Sequence, residues 1–351
     1  MTSISASRAL ILTLLLAVAG PACTAGVAPT TTASASSTAV PAAADTVFVA
    51  TDAWATKVGG TFELFSVGAS SQPTRLTFCT GCQALSAAPS LDRSRIALRR
   101  INADSNGDGR LDESDRVSLL LVDLGRGIEG PFLPDGWTTS GVDWASDGTF
   151  LVHTSSPDGR PDGLYTMDSN SQNNQAIIAD PNIRIRGGRL NASRTRAIYE
   201  RIASIGPGKS EIWTGASSSN QTKVTDGGVV GDLLPGTFYL VGSDAGPDYS
   251  PDGTNVTFKR LTSIGVPGGA WDILVTSATP GGALRVIASG PQFRSAPDWS
   301  KDGIVFSEQN LATGGTDVVV IDPATGSRRV LQSFGAGYKA GAPRWITGIE
   351  G

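Results

Sequence analysis

The chain has 351 residues, and its 43 glycines and 20 prolines contrast with a charged fraction of only 17%. This composition suits many tight turns and argues against long helices, so we expect an all-β protein. The formal net charge of −4 excludes a strongly basic surface, and we therefore predict no binding of nucleic acid.

The first 45 residues predict an exported protein with a flexible N-terminal linker. Arg8 supplies a positive charge before the apolar run at residues 9–19, which is too short to span a bilayer. Residues 24–45 are almost wholly small residues, polar residues and proline, a composition typical of a tether. We therefore predict a signal peptide over 1–23, a linker over 24–45 and one folded domain over 46–351.

The three cysteines have two predicted roles. Cys23 directly follows the apolar run, which resembles the acylated cysteine of a bacterial lipoprotein; ordinary cleavage after Ala17-Val18-Ala19 is the alternative. Cys79 and Cys82 form a Cys-Thr-Gly-Cys pair, for which we predict a structural disulfide in an oxidising compartment. A redox motif and a metal half-site remain alternatives for this pair. The predicted location is periplasmic or membrane-anchored, with the lipid as the only membrane contact.

Residues 104–115 have the spacing of a calcium-binding loop. Side-chain oxygens recur at alternating positions, one backbone carbonyl occupies the seventh position, and Gly109 allows the sharp turn at the sixth. The predicted ligands of a structural Ca²⁺ are Asp104, Asn106, Asp108, Arg110 (through its carbonyl), Asp112 and Asp115. Four carboxylates so close together repel one another without a counterion, although a solvated acidic hairpin loop is the alternative.

Six copies of one short phrase, a bulky residue followed by a Ser-x-Asp-Gly-type turn and an apolar run, divide the chain. They begin about fifty residues apart, a period typical of propeller blades, at Pro89, Val142, Gly188, Pro247, Pro297 and Pro343. In the clearest blade we predict strands over 298–300, 304–307, 317–322 and 328–332. The N-terminal part supplies strands without a phrase, and residues 343–347 supply a phrase without further strands. We therefore predict a six-bladed β-propeller closed by N- and C-terminal strands in one blade.

The phrases Pro297-Asp298-Trp299-Ser300-Lys301-Asp302-Gly303 and Pro247-Asp248-Tyr249-Ser250-Pro251-Asp252-Gly253 are each followed by an apolar strand and by a third strand introduced by aspartate, at Asp317 and Asp272. Together these features resemble the TolB-like, WD-repeat-like β-propeller family of exported bacterial proteins over residues 46–347. The resemblance implies a six-bladed propeller. It implies less about function, because the family includes binding scaffolds, the propeller of the Tol translocation protein and propellers appended to peptidases.

The connections between blades, and those between second and third strands, are longer than the others and are predicted to crowd one mouth of the central channel. Long loops on a rigid scaffold are where binding usually resides. Arg100, Arg201 and Arg260 each end a predicted second strand, so one hypothesis places them at this mouth, facing an anionic ligand. The alternative has them pair with Asp143, Asp248 or Asp298 of neighbouring blades.

The sequence gives little support for an enzyme. His153 is the single histidine, no nucleophile elbow or phosphate-binding loop occurs, and the carboxylates fall in predicted turns. We therefore predict a monomeric, non-catalytic binding or scaffolding propeller of the bacterial cell envelope, recognising a protein segment or small ligand on its long-loop face. The alternatives are an exported hydrolase or lyase using channel carboxylates, and a partner in the Tol system.

Overall fold

The structure is a computed structural model, and it describes most of the chain from residue 47 onwards. The described residues are 47–53, 63–67, 73–77, 82–90, 94–109, 111, 115–123, 126, 129–131, 138–146, 149–155, 162–168, 174–202, 208–237, 239–336 and 338–345. The predicted signal peptide and linker, with Cys23, lie outside these residues, as do Cys79, Arg110 and Asp112.

The described residues form β-strands and no helix, which confirms the all-β prediction. The strands of the first half of the chain are β1 (Val47–Ala53), β2 (Glu63–Val67), β3 (Thr74–Arg75), β4 (Gln83–Pro89), β5 (Arg95–Ile101), β6 (Val117–Asp123), β7 (Glu129–Pro131), β8 (Thr138–Ser146), β9 (Thr149–Ser155), β10 (Gly163–Asp168) and β11 (Gln175–Ala179).

The strands of the second half repeat the same pattern. They are β12 (Arg184–Leu190), β13 (Ala197–Ile202), β14 (Ser210–Ser217), β15 (Asn220–Lys223), β16 (Asp244–Tyr249), β17 (Asn255–Ser263), β18 (Ala270–Ser277), β19 (Arg285–Ala288), β20 (Asp298–Ser300), β21 (Gly303–Asn310), β22 (Gly315–Ile321), β23 (Arg328–Phe334), β24 (Tyr338–Ala340) and β25 (Arg344–Trp345).

These strands form six antiparallel sheets, which we number in chain order. Sheets 2 to 6 each contain four consecutive strands, β4–β7, β8–β11, β12–β15, β16–β19 and β20–β23. Sheet 1 combines the two ends of the described chain, because β1 pairs with β2 on one side and with β24 and β25 on the other. In the latter ladder Thr51 lies opposite Ala340 and Val47 lies opposite Trp345.

The first strands of successive sheets contact one another. β4 contacts β8, β8 contacts β12, β12 contacts β16 and β16 contacts β20, while β25 contacts both β20 and β4. Sheets that meet through their first strands while their other strands extend away from the shared axis define a β-propeller. The later strands therefore lie at the outside, and the first strands surround the axis.

The core lies between the faces of neighbouring sheets. In one cluster Ile198 and Ile212 of sheet 4 pack with Val256, Phe258 and Leu274 of sheet 5, and the other sheet pairs have similar apolar layers. Every residue of β22 is buried, because this strand is covered on both faces. Burial of this kind supplies most of the driving force for folding and makes the first strands a rigid frame.

The first strands also carry β-bulges that widen the frame around the axis. The pairing register shifts between Ala84 and Ser86 in β4, between Arg186 and Arg189 in β12, and between Ala245 and Asp248 in β16. Gly246 sits in the last of these bulges with φ +58°, and a Cβ there would lie 2.4 Å from the Cβ of Ala296. Only glycine fits this approach between two sheets, because it tolerates positive φ and has no side chain.

Candidate ligand-binding cavity

In five of the six repeated phrases the second residue lies on the strand nearest the axis, so these five residues surround the axis of the propeller. All five are charged and form what we call the axial charge cluster, which consists of Asp143, Arg189, Asp248, Asp298 and Arg344. Arg344 Nε lies 2.7 Å from Asp298 Oδ1, and Arg344 Nη2 lies 3.6 Å from Asp143 Oδ1. Ion pairs at the axis therefore join three sheets that are distant in the sequence.

The aspartates of the cluster also bind the backbone of the following sheet. In each case a carboxylate oxygen accepts a hydrogen bond from the amide of the third phrase residue in the next copy. The bonds are Leu190 N to Asp143 Oδ2 (3.2 Å), Trp299 N to Asp248 Oδ2 (2.7 Å) and Trp345 N to Asp298 Oδ2 (2.8 Å). The recurring aspartate at the second position of the phrase thus joins one sheet to the next through a hydrogen bond from its carboxylate to the backbone.

The cluster shifts the protonation equilibria of its members. Burial, with the negative charge of Asp298 beside it, raises the pKa of Asp248 to about 8, although Arg344 and Arg189 oppose this rise. Burial and the neighbouring Arg344 lower the pKa of Arg189. Burial disfavours the charged form of Arg344 too, but the three aspartates outweigh it and raise the pKa of that guanidinium. With this pKa, Asp248 is protonated in most of the molecules near neutral pH.

Two cavities lie at opposite ends of the first strands. The smaller, of about 90 Å³, is lined by the last residues of these strands, among them Trp144, Tyr249 and Trp345. The larger, of about 340 Å³, is lined by their earlier residues, among them Ser86 and Gly246. The first strands begin where the connections between sheets enter, and two residues of those connections, Tyr239 and Phe293, line the larger cavity. We call it the long-loop cavity; its volume falls within the usual range for a ligand site.

Several charged residues in the wall of the long-loop cavity are held by contacts between sheets. Glu200 is 5% exposed; its Oε2 accepts a hydrogen bond from the Tyr239 hydroxyl at 2.7 Å and its Oε1 accepts one from Gly246 N at 2.8 Å. Arg99 donates through Nε and Nη2 to the carbonyl oxygen of Thr139, at 3.0 and 2.6 Å. The cavity wall is therefore set in position by the fold before any ligand enters.

Aromatic rings hold two further cations of this wall. Lys259 Nζ lies 4.0 Å from the centre of the Trp271 ring and 5.6 Å from that of Phe293. The Arg186 guanidinium lies 5.9 Å from the centre of the Tyr239 ring, which meets Trp271 edge to face at 5.5 Å. Such cation–π contacts orient a positive charge.

The three arginines that the sequence singled out do not line the long-loop cavity. Arg260 forms a two-point ion pair with Asp244, at 2.6 and 2.9 Å, and Arg201 stacks over Trp213 at 4.2 Å. Arg100 donates to Asn102 Oδ1 at 2.8 Å. The cavity is lined instead by the residue that precedes each of them, namely Arg99, Glu200 and Lys259. Successive strand residues face opposite sides of a sheet, and this alternation is the sequence signal that identifies the inward residue.

Sheet 6 contains the counterpart of the Asp244–Arg260 pair with its charges exchanged. Arg294 Nε lies 2.7 Å from Glu308 Oε2, and Asp244 and Arg294 each lie four residues before the phrase aspartate of their sheet. Asp244 is fully buried and Arg294 is 2% exposed. These buried ion pairs lie next to the lining residues and hold the strands of the wall together, because a buried charge is costly without its partner.

The predicted calcium loop is described in part. Asp104 accepts hydrogen bonds from the amides of Gly107 and Gly109, at 2.6 and 2.7 Å, and both glycines have positive φ. Asp115 accepts bonds from the amides of Ser105 and Asn106, at 2.7 and 3.3 Å. Among the described residues no three His, Cys, Asp or Glu side chains lie together as a metal site would need. The described carboxylates of the loop thus accept hydrogen bonds from the loop's own backbone, and calcium binding stays a prediction.

The remaining predicted residues are placed as follows. Cys82 is disulfide-bonded, while its predicted partner Cys79 lies outside the described residues. His153 lies on β9 opposite Leu164 of β10. Of the described residues, none belongs to a helix of the length and hydropathy that crossing a membrane requires.

Comparisons with known proteins establish the fold. No family model and no curated protein sequence matches the chain. Among solved structures, TolB from Acinetobacter baumannii matches with a TM-score of 0.62 at 16% identity, covering 86% of this chain and 66% of that chain. A putative TolB from Agrobacterium tumefaciens matches at 0.53 and 15% identity, with coverages of 86% and 98%. A chain of a nidogen/laminin complex matches at 0.58 and 11% identity, with coverages of 85% and 97%.

These matches agree with the arrangement of the sheets: the protein is an all-β propeller. More particularly, its propeller resembles those of the TolB structures, so the resemblance stated from the sequence is confirmed at the level of the fold. The chain spans just under two thirds of the Acinetobacter TolB chain.

Proposed function

We propose that the protein is a non-catalytic binding propeller of the bacterial cell envelope, whose ligand enters the long-loop cavity. The observation that carries this proposal is the cavity itself, about 340 Å³ at the end of the axis where the connections enter. Its charged and aromatic residues are fixed by contacts between sheets, such as the bond from Tyr239 to Glu200. Preformed concave sites with a few placed polar groups are typical of binding.

The proposal includes a ring of six blades, closed in the blade that contains β1, β24 and β25. It is supported by the six sheets of the described residues and by the contacts of β25 with both β20 and β4. It also includes export as a monomer, with the membrane reached only through a lipid on Cys23. The apolar run before Cys23 and the linker after it support this part.

A protein segment is the ligand that the comparisons favour. One of the matching propellers is part of a nidogen/laminin complex, which shows that a propeller of this kind occurs in a complex between proteins. The cavity opens among the connections between sheets, where a partner approaching along the axis meets the fewest obstacles.

The test is capture of envelope proteins by the immobilised full chain. Ala342 lines the cavity and is partly exposed, so Ala342→Trp should fill it and abolish capture of the partner. Ala324, in an exposed turn after β22, offers the matched control Ala324→Trp, which should capture as the parent does. A partner retained by Ala342→Trp would show that binding occurs elsewhere.

A hydrolase or lyase is the rival function, and the axial charge cluster is the observation that favours it. A carboxyl whose pKa is raised to about 8, next to a second carboxylate, resembles the acid and base of an enzyme. The tricorn protease also matches this chain, with a TM-score of 0.55 at 15% identity, although over only 26% of its own length. A screen of peptide and glycoside substrates decides between the functions, because turnover that Asp248→Asn abolishes would overturn the binding proposal.

A further inference from the structure

We infer that the long-loop cavity takes a peptide segment that carries a carboxylate beside apolar side chains. This inference rests on the proposed function and specifies the chemistry of the ligand. It is argued from the charge of the cavity wall, from one buried donor and from an apolar surface next to the cavity.

The wall of the cavity carries an excess of positive charge. Among the described residues, its lining includes four cationic side chains, those of Arg99, Arg186, Arg189 and Lys259, and one carboxylate, that of Glu200. Glu200 already accepts hydrogen bonds from Tyr239 and Gly246. A low-dielectric cavity with this balance attracts an anionic group more strongly than a neutral one.

Arg189, which lines the cavity, has a buried donor that such an anion could bind. Its Nη1 donates to the carbonyl oxygens of Val142 and Gly188, at 3.2 and 3.1 Å. Its Nε is buried and has no hydrogen-bond partner among the described residues. A buried donor left unpaired is costly, so an acceptor that reaches it gains more than it would at an exposed site.

An apolar surface on the hairpin of residues 228–242 adjoins the cavity. Tyr239 of this hairpin lines the cavity, while Val229 is 90% exposed, Val230 is 55% exposed and Leu233 is 40% exposed. The hairpin is internally bonded, from Gly231 N to the carbonyl oxygen of Val241 and between Leu233 and Leu240. A small anion inside the cavity would leave these side chains in water, whereas a peptide extending out of it would cover them.

The cationic lining of the cavity and the apolar surface of the hairpin are therefore adjacent. A segment with an acidic residue in the cavity and aliphatic residues on the hairpin satisfies both. The fixed cations contribute orientation as well as affinity, because they lose little conformational freedom on binding.

The test is selection of a random octapeptide library, displayed on phage, against the immobilised full chain. We expect enrichment of peptides with Asp or Glu beside aliphatic residues. The affinity of a selected peptide, measured by fluorescence anisotropy, should fall about tenfold in Lys259→Gln and in Arg186→Gln, roughly the loss of one charge-assisted contact. It should fall similarly when the acidic residue of the peptide is replaced by its amide, and in about 1 M salt, where the Debye length is roughly 3 Å.

Lys301→Gln provides the matched control, because Lys301 lies on the turn after β20, beside Asp302, and is not among the lining residues. This variant should bind the selected peptide as the parent does. Equal weakening in Lys301→Gln would show a non-specific charge effect and overturn the inference.

The other outcomes separate this inference from the proposed function. Enrichment of peptides without acidic residues, abolished by Ala342→Trp, would overturn the carboxylate inference and leave the binding function standing. If no peptide is selected, and succinate stabilises the parent but not Lys259→Gln, the ligand is a small anion and the peptide inference is wrong. Peptides that bind Ala342→Trp as well as the parent would overturn both proposals.

Discussion

Arg344 and Asp298 lie 2.7 Å apart, Nε to Oδ1, with less than a tenth of either side chain exposed. Arg344 belongs to the strand that pairs with β1, whereas Asp298 begins the first strand of sheet 6. This ion pair therefore joins sheet 1, which contains both ends of the described chain, to sheet 6, and both of its side chains are largely buried.

Removal of this charge should destabilise the propeller strongly. Arg344→Gln leaves Asp298 buried without its ion-pair partner and leaves Asp143 with only Arg194 among the described residues, at 3.8 Å, so we expect a loss of about 3–5 kcal/mol in the free energy of unfolding, measured in urea. Arg328→Gln is the control, since Arg328 pairs with Glu308 at 2.9 Å but is 45% exposed. Its loss should stay below about 1 kcal/mol. Equal losses would mean that burial of the Arg344 pair contributes nothing.

Protonation of Asp248 should make stability depend on pH. Its pKa is about 8 in the folded protein against an ordinary value of 3.8, so the folded state holds a proton that the unfolded state releases. Stability is then greatest at the acid end of this window and falls as pH rises from about 4 to about 8.

Asp248→Asn should remove this part of the pH dependence. The asparagine side chain retains an oxygen that can accept the amide of Trp299, as Asp248 Oδ2 does at 2.7 Å. Melting temperatures between pH 5 and pH 9 should therefore decline less in the variant, which should exceed the parent at pH 9. The exposed Asp232 supplies the control Asp232→Asn, whose profile should parallel the parent. Parallel profiles for Asp248→Asn would contradict the assignment.

Substitutions of two neighbouring cations on β17, Lys259 and Arg260, should affect peptide binding and protein stability separately. Arg260→Gln leaves the fully buried Asp244 unpaired and should cost about 3–5 kcal/mol of stability, with peptide affinity retained in the folded fraction. Lys259→Gln loses the cation–π contacts with Trp271 and Phe293, each worth about 0.5–2 kcal/mol, and should lose peptide affinity. Urea unfolding and anisotropy on both variants measure this crossed pattern, and the reverse pattern would restore Arg260 as the ligand-facing residue.

Calcium should bind the loop at residues 104–115 weakly. Titration calorimetry of the parent should give a dissociation constant of about 10⁻⁴ to 10⁻³ M, the range of extracellular calcium modules. Asp108→Ala removes one predicted ligand and should abolish the heat of binding, whereas Asp232→Ala, outside the loop, should leave it unchanged. A parent protein that takes up no calcium would end this prediction.

Local patterns in the sequence predict the fold well. The strands predicted over 304–307, 317–322 and 328–332 occur as Gly303–Asn310, Gly315–Ile321 and Arg328–Phe334. They are recognisable because runs of β-branched and aromatic residues lie between turns such as Lys301-Asp302-Gly303, and both signals are local. The repeated phrase adds the period, which neither signal contains alone.

The binding cavity was less predictable, because its lining depends on register and on irregular segments. The bulges in β12 and β16 decide which side chains face the axis, and they follow from contacts between sheets, such as the approach of Gly246 to Ala296. Arg100, Arg201 and Arg260 lie one residue from the lining positions, because their place at the end of a predicted strand does not indicate which face of the sheet they occupy. Tyr239 and Phe293 lie outside named strands, where no periodicity marks them.

The pairing of β1 with β24 and β25 has a consequence for biosynthesis. About 285 residues separate Ala53 from Tyr338, and at translation rates of about 5–20 residues per second the ribosome needs roughly 15 to 60 s to make them. Until then Val47–Ala53 has an unsatisfied strand edge that is open to misassembly with other chains. Correct folding of this protein therefore depends on keeping β1 from pairing with other chains during synthesis, either through chaperones or through a low concentration of nascent chains.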